Sequence, residues 1–193
     1  MQMIFARWLQ DSTCLFVLFE GGWEMILVSA CLLGHKVRYD GGSNPHDLLL
    51  QYNEQGHFLA VCPECLGQLP VPRTPIELQH AGGKKVLQGK ADVRDAEGHD
   101  ATKALIDGAA KVLDAAETYH AKVAILKEGS PSCGTHHIHT GDFDGKRGRG
   151  MGVCAALLAQ HGMKLYSEKE MTAELLEQLI QEDASDERER PLP

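Results

Sequence analysis

The sequence predicts an α/β fold: a single three-layer domain with a short parallel, Rossmann-like sheet and helices on both faces. Three observations predict it. Four short apolar runs, at 25–30, 58–61, 122–127 and 163–166, read as strands. Stretches of helical periodicity separate most of them, and alternating strands and helices imply parallel connections. The centres of the first and third runs, 26–28 and 123–126, are continuously apolar instead of alternating, as in strands covered on both faces. At 193 residues the chain has the length of one domain and can bury one core. The expected division is an extension at 1–24, the domain proper at 25–168, and a C-terminal helix with a disordered tail at 169–193.

The first strand, 25–30, ends in the turn Cys31-Leu32-Leu33-Gly34. Asn44 suits a helix cap with Pro45 at the first position, and that helix is expected to run through Leu48, Leu49 and Tyr52 until Gly56 stops it. The second strand, 58–61, opens into Cys62-Pro63-Glu64-Cys65. The prolines from Pro63 to Pro75 exclude regular structure over much of that loop. The region 76–93 is weakly patterned; Val86-Leu87 and 91–93 suit a small hairpin or edge strand. Ala104, Leu105, Ala109, Val112, Leu113 and Ala116 place a long helix over 101–119, with Asp100 as its cap. The third strand leads through Lys127-Glu128-Gly129 into Ser130-Pro131-Ser132-Cys133-Gly134. A glycine-rich polar loop at 135–152 precedes a helix at 153–161, the fourth strand, and a helix at 168–181 with a charged tail from 183.

Composition removes several function classes. The net charge of −8 argues against a general grip on nucleic acid phosphates. The apolar run Leu15 to Phe19 is too short for a membrane span and lacks the flanks of a signal peptide. Neither nucleic acid nor membrane is therefore an expected partner. Residues 1–24 read as an extension, with Met25, directly before the first strand, as the candidate start; the alternative is an added surface strand or helix. Six cysteines in a chain without a secretion signal point to a reducing cytoplasm, where clustered thiols are metal ligands or redox groups.

Cys31, Cys62 and Cys133 each follow an apolar run and break into Gly, Pro or Ser. In a parallel sheet the ligand crevice lies outside the carboxyl ends of the strands, so three distant thiols can meet there. Three convergent thiolates suit an iron–sulfur cluster, and a cubane with three protein ligands keeps one iron open as a Lewis acid. Two other readings stand beside it. Cys62 and Cys65 form a C-x-x-C pair that suits thiol redox chemistry. With Cys133 and the nearby His136, His137 and His139 they also suit a zinc-stabilised binding module. Cys14 and Cys154 read as small buried hydrophobes. Glu64, one residue from Cys62, suits general acid–base work. Ser130 and Ser132 suit hydrogen bonds to substrate or sulfur, and Arg38 and Arg73 offer forked donors to an anion or a carbonyl-rich ring. The glycines from Gly145 to Gly152 lack the Lys-Ser/Thr of a phosphate loop.

Read together, Ile26 to Gly34, Arg38 to Gly41, Val61 to Glu64, Leu69 to Arg73, Leu126 to Gly134 and Gly150 to Val153 resemble the thiouracil desulfurase family, long known only as a domain of unknown function. The resemblance covers about residues 25–168. It implies a cytoplasmic enzyme with a 4Fe–4S cluster on Cys31, Cys62 and Cys133. Its open iron would take the sulfur of a small thiolated nucleobase, and water would replace that sulfur, so that 2-thiouracil gives uracil and sulfide without net redox change. By motif, Glu64 is the proton donor and water activator, and Ser130 the catalytic serine with Ser132 second. Cys65 is an extra thiol relative to the usual pattern, and Gln68 stands where a second glycine is common.

Overall fold

The computed structural model describes residues 25–188; the expected extension at 1–24, with Cys14, lies outside the described residues. In chain order the elements are β1 (Ile26–Ser29), α1 (Asp47–Asn53), β2 (Phe58–Val61), α2 (Pro63–Leu66), β3 (Ile76–Leu78), α3 (Gly83–Leu87), β4 (Val93–Asp95), α4 (Thr102–Thr118), β5 (Val123–Leu126), β6 (His137–His139), β7 (Arg147–Arg149), α5 (Val153–Gln160), β8 (Lys164–Ser167) and α6 (Ala173–Arg188). Single 3₁₀ turns at Ala30–Leu33 and Glu168–Glu170 follow β1 and β8.

The main sheet is parallel, in the order β2-β1-β5-β8. The all-apolar runs explain its depth. Ile26 and Val28 enter one core with Phe58, Ala60, Val123 and Ile125, closed by Leu49 of α1 and by Leu176 and Leu179 of α6. Leu27 points the other way, into a core with Leu59, Val61, Ala124 and Leu126, closed by Leu105, Ala109 and Val112 of α4 and by Val153 and Leu158 of α5. Each fully buried aliphatic side chain of this kind contributes about 1.5–3 kcal/mol. Three layers result, as the sequence predicts.

Several elements differ from the sequence reading, each for a local reason. The first helix begins at Asp47, with His46 as its cap residue. Asn44 is occupied otherwise: its backbone N–H reaches Cys31 O at 2.9 Å, and that of His46 reaches Leu32 O at 2.9 Å. The proline-rich loop holds one helical turn, α2, because Pro63 stands at its first position and forfeits no bond there. Val86-Leu87 is helical in α3, whereas 93–95 pairs antiparallel with 76–78. The 135–152 loop contains the β6–β7 hairpin. The long helix starts at Thr102 with Ala101, not the expected Asp100, as its cap residue; Asp100 lies one residue earlier and accepts the Thr102 backbone N–H at 2.7 Å. The last helix starts five residues late, because Ser167 and Glu170 form a capping box around the preceding 3₁₀ turn. It then runs to Arg188, past the tail expected from 183.

The strand order also explains where the site sits. From β1 the chain steps to β2 on one side and later to β5 on the other. Connections that leave a strand in opposite directions open a crevice at the carboxyl ends. Cys31 follows β1, Cys62 follows β2, and Cys133 lies on the loop leaving β5.

Candidate functional site

The three thiols gather beyond three adjacent strand ends. Cys62 and Cys133 are buried and Cys31 is half-buried. Each is close enough to feel the others. Burial pushes the Cys31 thiol up to about 12, with the charge of Cys62 adding to it while Lys127 and Arg38 oppose it. Burial raises Cys133 well above an ordinary thiol, and Cys154, Cys62 and Cys31 contribute further. Cys62 alone moves down, chiefly because it shares a hydrogen bond with Cys65. A pocket that resists ionising its own thiols is one in which a cationic centre supplies the missing positive charge.

The donor set and its spacing test which centre fits. Around one tetrahedral zinc, thiolate sulfurs lie about 3.8 Å apart. Among the described residues, the group of three Cys, His or acidic ligand atoms lying within 4.8 Å of one another is Asp95, Glu97 and His99, not the cysteines. At least one pair of the Cys31, Cys62 and Cys133 sulfurs therefore lies more than 4.8 Å apart, wider than one zinc ion spans. A cubane spreads its soft thiolate ligands over separate corners, and the three cysteines fit that demand. Two of the histidines of the zinc reading face carboxylates. His136 faces Glu128 at 3.4 Å and His139 faces Glu77 at 3.6 Å. Cys154 is fully buried on α5, as expected of a small hydrophobe.

Glu64 stands on α2 beside this group, 9% exposed. Its two oxygens have separate duties. Oε2 accepts from Arg73 Nε at 3.0 Å and from Nη2 of the same guanidinium. Oε1 accepts from Ser132 Oγ at 2.6 Å, with Ser130 Oγ at 3.4 Å. Arg73 is spent on the protein itself: Nη1 reaches Pro70 O at 3.0 Å and Nη2 reaches Val37 O at 3.2 Å. The same Val37 carbonyl receives the thiols of Cys62 at 4.0 Å and Cys65 at 3.9 Å. Arg38 is more open. It forks onto Asp40 at 3.2 and 2.9 Å and lies over the Tyr39 ring, 5.6 Å from its centre. That fork holds Asp40 down at about 2. The structure therefore brings Glu64, Ser130, Ser132 and Arg73 together and leaves Arg38 toward the rim.

The Ser130–Cys133 turn is braced by its own first side chain. Ser130 Oγ accepts the N–H groups of Ser132 at 3.2 Å and Cys133 at 3.0 Å. Gly152 packs on it so closely that a Cβ there would meet the Ser132 carbonyl group.

The sequence reading missed the supports beneath this turn. Ser29 Oγ accepts the Lys127 N–H at 3.0 Å and hydrogen-bonds the Cys133 thiol. Glu168 accepts Lys127 Nζ at 2.7 Å and the Glu128 N–H at 2.7 Å. Glu128 in turn accepts Thr135 Oγ1 at 2.7 Å and the His137 N–H at 2.7 Å. Burial alone would raise Glu128, yet the Thr135 hydroxyl and the His137 and His136 amides bring it down to about 2. Ser29 and Glu128 both lie inside the recognised motifs. Their roles depend on backbone partners that side-chain chemistry does not announce.

Comparison with known proteins agrees with this geometry. The 2-thiouracil desulfurase family model matches residues 26–170. The Bacillus subtilis protein YbbK is 42% identical over 147 residues, covering 76% of this chain and 97% of its own length. The solved structure of TudS, described as a [4Fe-4S]-dependent thiouracil desulfidase, superposes with a TM-score of 0.68 at 40% identity, over 77% of this chain and 93% of TudS. The chain belongs to the 2-thiouracil desulfurase family.

Proposed function

We propose that this chain is an iron–sulfur-dependent, non-redox desulfurase acting in the cytoplasm on a small thiolated pyrimidine, converting 2-thiouracil and water to uracil and hydrogen sulfide. The observation that carries this reading is the convergence of Cys31, Cys62 and Cys133 at neighbouring strand ends, with a buried carboxylate, Glu64, on the same turn as Cys62. The family and the 40% identity to TudS support it.

Cys31, Cys62 and Cys133 would hold a 4Fe–4S cluster, which supplies an open iron as a Lewis acid for the substrate sulfur. The chain's own groups supply the rest. Arg73 fixes Oε2 of Glu64, so Oε1 is the oxygen that exchanges a proton with water and with the departing sulfide. Ser132 donates to that oxygen and sets its direction. Ser130 fixes the backbone of the Cys133 turn, and its hydroxyl, 3.4 Å from Oε1, extends the proton route. Arg38, at the rim, would meet a ring carbonyl. A dry pocket strengthens each of these contacts.

The reading is tested by anaerobic reconstitution followed by incubation with 2-thiouracil. Brown protein that releases uracil and sulfide in equal amounts is expected. Colourless protein, or brown protein that leaves 2-thiouracil intact, contradicts it.

A further inference from the structure

Cys65 is a thiol that the proposed reaction does not use. It lies three residues beyond Cys62 on the single turn of α2, whose ends are tied by Leu66 N–H to Cys62 O at 2.9 Å. Cys62 is the cap residue of that turn and Pro63 its first position. One helical turn therefore brings both side chains to the same side. Their sulfurs converge on one acceptor, the Val37 carbonyl, at 4.0 and 3.9 Å, and hydrogen-bond each other. Two cysteines so placed lie within reach of a disulfide. Burial also differs across the pair: Cys62 is 9% exposed, whereas Cys65 is half-buried.

We propose that Cys62 and Cys65 form a dithiol–disulfide site, oxidised by small-molecule disulfides, that withdraws Cys62 from the cluster set when no cluster is bound. The inference rests on the reading of Cys62 as a cluster ligand. The chemistry is thiol–disulfide exchange. The more open Cys65 thiolate attacks one sulfur of the small disulfide RSSR. A Cys65–SR bond forms, and RS⁻ leaves and takes up the proton. The Cys62 thiolate then attacks the Cys65 sulfur, forming the Cys62–Cys65 bond and expelling the second RSH. The net change is two protein thiols plus RSSR giving one protein disulfide plus two RSH, so the electrons lost by the protein reduce the small disulfide. With Cys62 held this way, an emptied site is sheltered from deeper oxidation of that sulfur and returns to use on reduction.

The full chain, freed of iron and reduced, is the material for the test, with oxidised glutathione as the probe. The expected product is a protein about 2 Da lighter and free of glutathione, in which tryptic peptide 39–73 carries an internal link. That peptide holds Cys62 and Cys65 and no other cysteine. The oxidised protein should take up no iron until dithiothreitol is added. Cys65→Ser, treated in the same way, should keep its iron uptake, because the buried Cys62 then lacks its partner. Retention of both thiols, a lasting glutathione adduct on Cys65, or a link from Cys62 to the peptide of Cys31 or Cys133 would overturn the proposal. So would equal loss of iron uptake in Cys65→Ser. Failure of the reduced wild-type protein to take up iron would instead strike the cluster reading, and the mass measurement stands apart from it.

Discussion

At the scale of the residue, Glu64 is the point on which the proposed chemistry turns. Its two oxygens are held by different partners, so removing either charge has a distinct effect. Glu64→Gln keeps the shape and the Ser132 contact but cannot exchange the proton. It should bind the cluster with an unchanged spectrum and lose turnover by about 10²–10⁴-fold, read as uracil released per reconstituted chain. Arg73→Ala does something else. It leaves a buried carboxylate without its partner, which costs about 3–5 kcal/mol. The urea midpoint should fall steeply, and Arg73→Lys should recover part of the loss through charge while leaving the fork unfilled. Arg73 was visible in the sequence as a forked donor, and its proximity to Glu64 was not. Eight residues lie between them, the end of α2 and then irregular, proline-rich chain, and no periodicity reports how such a loop folds back. The Val37 carbonyl is illegible for a simpler reason: a backbone acceptor has no residue signature.

At the scale of the element, the site depends on how α2 is seated. Gly108 of α4 faces Gly67 and the Pro63 carbonyl across a contact with no room for a Cβ. Gly108→Ala should therefore push α2 away, carrying Cys62 and Glu64 with it. Iron bound after reconstitution should drop by at least half while the far-ultraviolet spectrum stays helical. The loop after β5 depends on Glu128. Its folded value of about 2 lies below that of a free carboxylate, so its contribution is complete above pH about 4.3 and is lost as pH falls toward 2. Glu128→Gln should flatten the acid limb of a stability–pH curve in that window by about 2–3 kcal/mol, read from urea midpoints. The long apolar runs and the periodic stretch of α4 made the central elements legible. The ends were less so: His46, not Asn44, is the cap residue of α1, and the Ser167 capping box holds a 3₁₀ turn ahead of α6. The β6–β7 hairpin escaped because His137–His139 and Arg147–Arg149 are too short and polar to display alternation.

At the scale of the whole molecule, strand order converts sequence distance into proximity. Cys31, Cys62 and Cys133 are separated by tens of residues, yet β2, β1 and β5 are consecutive in the sheet. The apolar strand ends in the sequence were enough to place the thiols at one edge of a parallel sheet. The order that makes them neighbours follows from the crossover directions, which local patterns do not encode. Among the described residues no helix is long and apolar enough to cross a membrane.

The central claim is that these three thiolates, and not the other cysteines, hold one cluster. Iron and acid-labile sulfide counted after anaerobic reconstitution of single Cys→Ser variants test it most directly. About four irons and four sulfides per chain are expected in the wild type, in Cys65→Ser and in Cys154→Ser, with severe loss in Cys31→Ser, Cys62→Ser and Cys133→Ser. Full iron retained in any of the last three, or loss in Cys154→Ser with its fold intact, would contradict the account.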